Sequence, residues 1–293
     1  MASRKFFESL FIVVGMFLVF FVITFIGYAL IVEYFNINPD SRFGTLSMSV
    51  FQNVVMFIVP SLIAARIISR QPLSFLDLNR APGWLPSLGV IFAYLISIPA
   101  LNQIIFWNEN IVFPESLAYW GEIFREMEDK ALATSSLMLN VSSVGDLFIN
   151  LAIIALLTAF GEEIFFRGAL QKSLSSSGAN HAAIWIVAVF FSFMHFQAYG
   201  FIPRLLMGAW FGYLLFWTRS LYVPVLAHFI NNGVVVFVAW LNANGHSFNS
   251  EMFGVTEVGF PMPAFISALA FIIFVVYFRH FFFQRSSSSL IVS

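Results

Sequence analysis

Residues Ser9–Val32 form a run of 24 residues without a charged side chain. A helix needs about 20 predominantly apolar residues to cross a bilayer. A cleaved secretory signal has a core of about 7–15 residues ending at small residues. This run is longer and lacks such a site, so it reads as a retained transmembrane span. Inside a bilayer every backbone polar group must be satisfied internally, which leaves helices or closed barrels. Comparable apolar runs follow within Arg42–Arg66 and Trp84–Trp107, from near Gly145, then His181–Tyr199, on to Trp217, Leu221–Leu241 and Phe260–Phe278. The chain is 60% hydrophobic and only 10% charged, against about 25% charged in soluble domains. These runs predict an all-α polytopic membrane bundle of about eight transmembrane helices, with Pro60 and Pro99 bending the second and third.

Eight spans place both termini on one side. With that side cytoplasmic, Arg4, Lys5, Arg66, Arg70, Arg80, Lys172, Arg219, Arg279 and Arg285 lie at inner positions. Only Arg42, Arg125, Lys130 and Arg204 lie at outer ones. The asymmetry follows the positive-inside rule. The longest polar stretch, Asn108–Asp146, is outside in this scheme, and Leu117–Leu132 within it suits an amphipathic interfacial helix. A net charge of −1 gives no reason to expect nucleic acid. The absence of cysteine excludes disulfides, thiolate metal sites and a cysteine nucleophile.

Charges interrupt this pattern at Phe160-Gly161-Glu162-Glu163-Ile164-Phe165-Phe166-Arg167-Gly168. The uncharged run before them, Leu147–Gly161, has only 15 residues. A span here must therefore continue through Glu162, Glu163 and Arg167. Ionisable groups at membrane depth are costly and mark function by default; the plain alternative is a short buried helix with a charged end. On a helix Glu163 and Arg167 share a face at i, i+4, acid first. Glu162 lies about 100° away. Glu163 therefore reads as the partner of Arg167, leaving Glu162 free to act as a base.

Ser175–Asn180 reads as a turn. Glu162 and His195 stand equidistant from it, so an antiparallel hairpin brings them to similar depth. His228 and Asn232 share a face of the next long span. A lone apolar-face histidine is usually a satisfied core residue, but this many polar groups on three spans require mutual satisfaction or function. A glutamate with a histidine can activate water, and a second histidine with an amide can donate to an oxyanion. The same glutamates and histidines could instead hold zinc. No H-E-x-x-H zincin signature and no G-x-S-x-G elbow is present. The spacing Gly208-x-x-x-Gly212 permits close helix packing.

Glu162-Glu163 with Arg167, Phe191 with His195, and His228 with Asn232 resemble the CAAX protease and bacteriocin-processing (CPBP) family of intramembrane endopeptidases, which includes the CAAX prenyl endopeptidases. The resemblance covers roughly Leu147–Leu241. It divides the single membrane domain into 1–144 (three spans and a polar extracytoplasmic segment), 145–241 (a CPBP-like catalytic core) and 242–293 (a loop, the last span and a tail). It implies a water-accessible cavity among the motif-bearing spans. By the same resemblance Glu162 and His195 would activate water, and His228 with Asn232 would stabilise the oxyanion. Glu163, Arg167 and Phe191 would support the site. No cofactor is then expected; zinc is the alternative. A non-catalytic membrane immunity or scaffold protein and an ion-coupled transporter are the readings from other classes. The implied partners are the bilayer and a membrane-associated protein or peptide, the implied place a bacterial inner membrane.

Overall fold

The computed structural model describes residues 2–248 and 251–289. Its long helices are α1 (Ala2–Phe35), α2 (Arg42–Ile68), α3 (Trp84–Glu109), α4 (Ala118–Leu139), α5 (Val144–Ser175), α6 (Asn180–Phe193), α7 (Phe201–Thr218), α8 (Tyr222–Ala243) and α9 (Met262–Ser289). No strand occurs among the described residues. Among the described residues six helices, α1, α2, α3, α5, α8 and α9, are long and apolar enough to cross a membrane. This is an integral, multi-pass helical bundle. Large apolar side chains such as Phe11, Leu30, Leu95 and Ile272 face outward, which a soluble protein rarely tolerates over such areas.

The centre of the bundle is aromatic. Phe17 of α1 stacks on Phe165 of α5 at 4.6 Å between ring centroids, and Phe57 of α2 lies 5.8 Å from both Phe165 and Phe166. Phe166 meets Phe191 of α6 edge to face at 5.2 Å. This cluster fixes α5 between α1, α2, α6 and α8. On the other side, α3 and α9 pack together as a pair against α7 and α8.

Proline acts as expected from its missing N–H, with compensation. Pro99 sits inside α3. The Ser267 hydroxyl of α9 accepts from Ala100 N and donates to Ile96 O at this point. A neighbouring hydroxyl thereby satisfies the backbone groups that the proline ring disturbs. Pro60 of α2 follows a π-helical stretch, Asn53–Ile58. Two further π-helical stretches, Leu151–Leu157 and Ile164–Gln171, lie in α5 on either side of the glutamate pair. Such widened turns are frequent at functional sites.

Three expectations from sequence are corrected. The amphipathic helix runs on to Leu139. The final helix continues through Ser289, into the stretch taken as a tail. The fifth span does not run as helix to Tyr199: α6 ends at Phe193. Residues 194–196 turn, Phe196 has φ 53°, and a 3-10 turn over Ala198–Gly200 leads into α7. The break is held by polar groups that the apolar pattern concealed. Ser192 donates to Phe201 O at 2.7 Å. Asn108 of α3 donates to Ala198 O at 3.0 Å and accepts from Ile202 N at 2.7 Å. Irregular backbone at membrane depth requires such satisfaction.

Candidate active site

The site begins with a fully buried ion pair. Glu163 and Arg167, with side chains 0% exposed, meet at 2.9 Å from Oε1 to Nη1. The expected i, i+4 partnership is therefore present, although α5 becomes π-helical after Glu163. The second Arg167 nitrogen, Nη2, donates to Gly208 O on α7 at 3.0 Å. One turn on, Gln171 Nε2 donates to Gly212 O, also at 3.0 Å. These bonds explain the paired glycines. A Cβ on Gly208 would lie 3.2 Å from Ala188 Cα, and one on Gly212 would lie 2.8 Å from Gln171 Oε1. Without side chains there, α7 exposes two carbonyls to α5 while lying against α6. Arg167 is also flanked by rings, its guanidinium carbon 4.6 Å from the centroid of Phe191 and 5.4 Å from that of Phe211. A cation over an aromatic face is stabilised when desolvated.

His228 of α8 joins this pair. Its Nδ1 lies 2.9 Å from Glu163 Oε1. The carboxylate can only accept, so Nδ1 carries the proton and donates. The other ring nitrogen, Nε2, lies 3.8 Å from Glu162 Oε2. Phe211 stacks on the imidazole at 5.0 Å and 20°. His228 is thus held edge-on between the two glutamates. Glu162 differs from its neighbour. Its side chain is 13% exposed, and its buried Oε2 has no hydrogen-bond partner. It remains outside the network that occupies Glu163.

His195 lies in the turn after α6, half-buried. Its Nδ1 donates to Phe191 O at 2.8 Å. That bond fixes the tautomer, so in the neutral ring Nε2 carries the lone pair and can accept a proton. Phe191 packs edge-on against both His195 and His228, at 5.0 and 6.0 Å. The close partner of Glu162 is His228; the hairpin argument had paired it with His195. His195 itself sits in the turn that follows the early end of α6. Asn232 Nδ2 donates to Ile154 O at a long 3.4 Å, and its Oδ1 accepts from Asn231 at 3.2 Å.

Sequence reasoning missed several members of this site. Gln171 continues the face of Glu163 and Arg167 at the same four-residue spacing, a signal that was available. Phe211 carries no motif. Asn53 comes from α2, donating to Ser49 O and Thr158 Oγ1 at 2.9 and 3.2 Å. Its approach explains Gly161, where a Cβ would lie 2.7 Å from Asn53 Oδ1.

Zinc would need several donors converging on one point. Among the described residues, no three histidine, aspartate or glutamate side chains are grouped in that way. Glu162 and His228 are neighbours, and each histidine holds Nδ1 in a hydrogen bond and leaves Nε2 free. On donor number alone the grouped set falls short of a zinc site. What it offers is a partly accessible carboxylate beside an imidazole that a buried acid orients.

Residues 144–234 match the model of the family described as Type II CAAX prenyl endopeptidase Rce1-like. That segment contains Glu162, Glu163, Arg167, Phe191, His195, His228 and Asn232, so the chain carries an Rce1-like domain there. A curated relative, the uncharacterized protein YpbD of Bacillus subtilis (strain 168), is 33% identical over 89 residues. The match covers 29% of this chain and 43% of YpbD, so the chain spans less than half the length of that relative. No solved structure matches the chain.

Proposed function

We propose that this protein is an intramembrane endopeptidase, CAAX-protease-like, that hydrolyses a peptide bond of a membrane-associated protein or peptide with water activated by Glu162. The observation that carries the reading is the unequal pair. Glu163 is fully buried and its Oε1 holds both Arg167 and His228, while Glu162 is partly exposed, with its Oε2 outside any hydrogen bond and 3.8 Å from His228 Nε2. The Rce1-like segment supports the reaction class. A bacterial relative is consistent with an inner-membrane location.

In this mechanism Glu162, helped by the lone pair on His195 Nε2, takes a proton from water. The water oxygen bonds to the scissile carbonyl carbon, and the carbonyl oxygen becomes an oxyanion. His228 can donate to that oxyanion from Nε2 only as an imidazolium, because its Nδ1 proton is committed to Glu163. Asn232 would donate its amide after leaving its long bond to Ile154 O. The tetrahedral intermediate then collapses, the C–N bond breaks, and the proton held by Glu162 passes to the leaving amine. A positioned general base contributes about 10²–10⁴-fold, and one oxyanion donor about 10²–10³-fold.

The test compares peptide fragments released from membrane proteins reconstituted with wild-type or Glu162→Gln protein. Fragments produced by the wild type and absent with the variant are expected. Identical fragment sets from the two proteins overturn the reading.

A further inference from the structure

A cavity of about 590 Å³ lies on the far side of Phe211 from His228, between α3 and α9 on one side and α6, α7 and α8 on the other. Along α3 its lining runs from Val90 to Ile104, a length of about 21 Å at 1.5 Å per residue. One leaflet of a bilayer core is about 15 Å deep. The cavity is therefore long and narrow rather than round. Its lining is aliphatic and aromatic, with alanines from α3, α7, α8 and α9 making the space. Ile272 and Val276 line it and are 58% and 60% exposed, so it opens on the surface that faces lipid.

Its basic groups gather at one end, while Tyr94 and Ser97 line it part-way along α3. His181 at the start of α6 and Arg279 on α9 both line it there. His181 Nδ1 lies 3.0 Å from the Tyr213 hydroxyl, and its ring lies 5.8 Å from Phe216, over which Arg219 sits at 5.9 Å. The nearby acid Asp77 is engaged by Lys172 at 2.8 Å. This end is the side on which the basic residues of the chain collect. The opposite end, near Leu101, Ile104 and Met207, is apolar.

We propose that this cavity binds one membrane phospholipid, its acyl chain along α3 and its anionic headgroup at Arg279. Charge complementarity selects the occupant: basic pockets between transmembrane helices at the cytoplasmic face bind anionic headgroups. Its size is that of a ligand pocket. Since Phe211 lines the cavity and stacks on His228, the bound chain forms the backing of the ring that holds this histidine. The proposal concerns lipid binding alone and stands whether or not the chain cleaves peptides.

Trp217 lines the cavity yet is only 8% exposed, so it reports occupancy with little contribution from surrounding lipid. The experiment uses the full chain with every other tryptophan changed to phenylalanine, in vesicles containing dibrominated phosphatidylglycerol or dibrominated phosphatidylcholine. Bromine quenches tryptophan on contact. Phosphatidylglycerol is expected to be preferred, about fivefold for each arginine that faces the headgroup. Arg279→Gln should lose about fivefold of that preference while leaving the cavity intact. Filling the cavity with Ala100→Phe and Ala268→Phe should abolish it. Mass spectrometry of the unaltered protein, released intact from detergent, should show one retained phosphatidylglycerol. Equal quenching by the two lipids overturns the proposal, as does a preference that survives both variants. Stronger quenching by a brominated acyl-peptide than by phosphatidylglycerol assigns the cavity to a lipid-modified substrate and overturns it as well.

Discussion

His228 donates from Nδ1 to Glu163 Oε1 at 2.9 Å, the same oxygen that receives Arg167 Nη1 at 2.9 Å. One carboxylate oxygen thus serves two donors from two helices, α5 and α8. The bond leaves His228 only Nε2 for any further contact, and aims that nitrogen at Glu162. Adjacent glutamates in one helix therefore have separate tasks, one holding the histidine and one facing it.

Separate tasks predict separate losses. Glu162→Gln is expected to abolish hydrolysis while the folded protein melts close to the wild-type temperature, since its Oε2 makes no hydrogen bond and only a 3.8 Å contact with His228. Glu163→Gln is expected to lose activity and stability together. Removing one partner of a buried ion pair typically costs about 3–5 kcal/mol, and here it also frees His228. Thermal melts in detergent beside a cleavage assay separate the two. If Glu162→Gln is the less stable variant, the roles are reversed.

The glycines of α7 give a test by contrast. A Cβ on Gly212 would lie 2.8 Å from Gln171 Oε1 and 2.9 Å from Ile184 Cγ2, both in a packed interior. Gly212→Val is expected to destabilise by about 1–3 kcal/mol through overpacking. Gly15 of α1 has nothing within 4 Å of an added Cβ. Gly15→Ala should be neutral or stabilising by up to about 1 kcal/mol, because alanine loses less backbone freedom in a helix. Chemical or thermal unfolding in detergent reads both, and a more stable Gly212→Val would undo the packing argument.

What the sequence disclosed depended on the range of the interaction. The spans were legible because each is a local property of composition, and the Glu163–Arg167 pair because four residues make one helical turn. Gln171 was legible by the same spacing and went unread. The end of α6 at Phe193 was not, since no proline or glycine stands between Phe190 and Tyr199 to mark it. What stops the helix is a set of hydrogen bonds from Asn108, 90 residues before Ala198 in sequence, and from Arg204, whose Nη2 donates to Gln197 Oε1 at 2.6 Å. The approach of His228 to Glu162 went unread for the same reason. A depth argument within one hairpin cannot see that a third helix brings His228 to the acid.

Topology remains a prediction at the level of crossings. Eight crossings require α6 and α7 to pass through the bilayer, although they have only 14 and 18 residues. The chain lacks cysteine, so single cysteines can be placed without background. Cysteines at Ser74 and Ser177 are expected to label from one side with an impermeant maleimide, and one at Ser247 from the other. Labelling of all three from one face removes the eight-crossing arrangement and its positive-inside argument.

The last prediction joins the oxyanion donors to the metal question. His228 and Asn232 are assigned to donate hydrogen bonds in the transition state. Loss of such a donor lowers turnover by about 10²–10³-fold with little change in substrate binding. His228→Ala and Asn232→Ala should therefore act on kcat and leave KM nearly unchanged. His228→Ala should also lower the melting temperature, because Glu163 loses a donor, whereas Asn232→Ala gives up only two long bonds, of 3.4 and 3.2 Å. The donor geometry gives no three-ligand group for zinc among the described residues, so activity should survive stringent chelation and elemental analysis should find no stoichiometric zinc. Zinc at one per chain, with activity lost on its removal and restored on its return, would make Glu162, His195 and His228 ligands. The base would then have to be Glu163, which is committed to Arg167 and His228 in this structure. That outcome would require the buried pair to open during turnover, and an Arg167→Lys variant, unable to hold both Glu163 and Gly208 O, would then gain rather than lose activity.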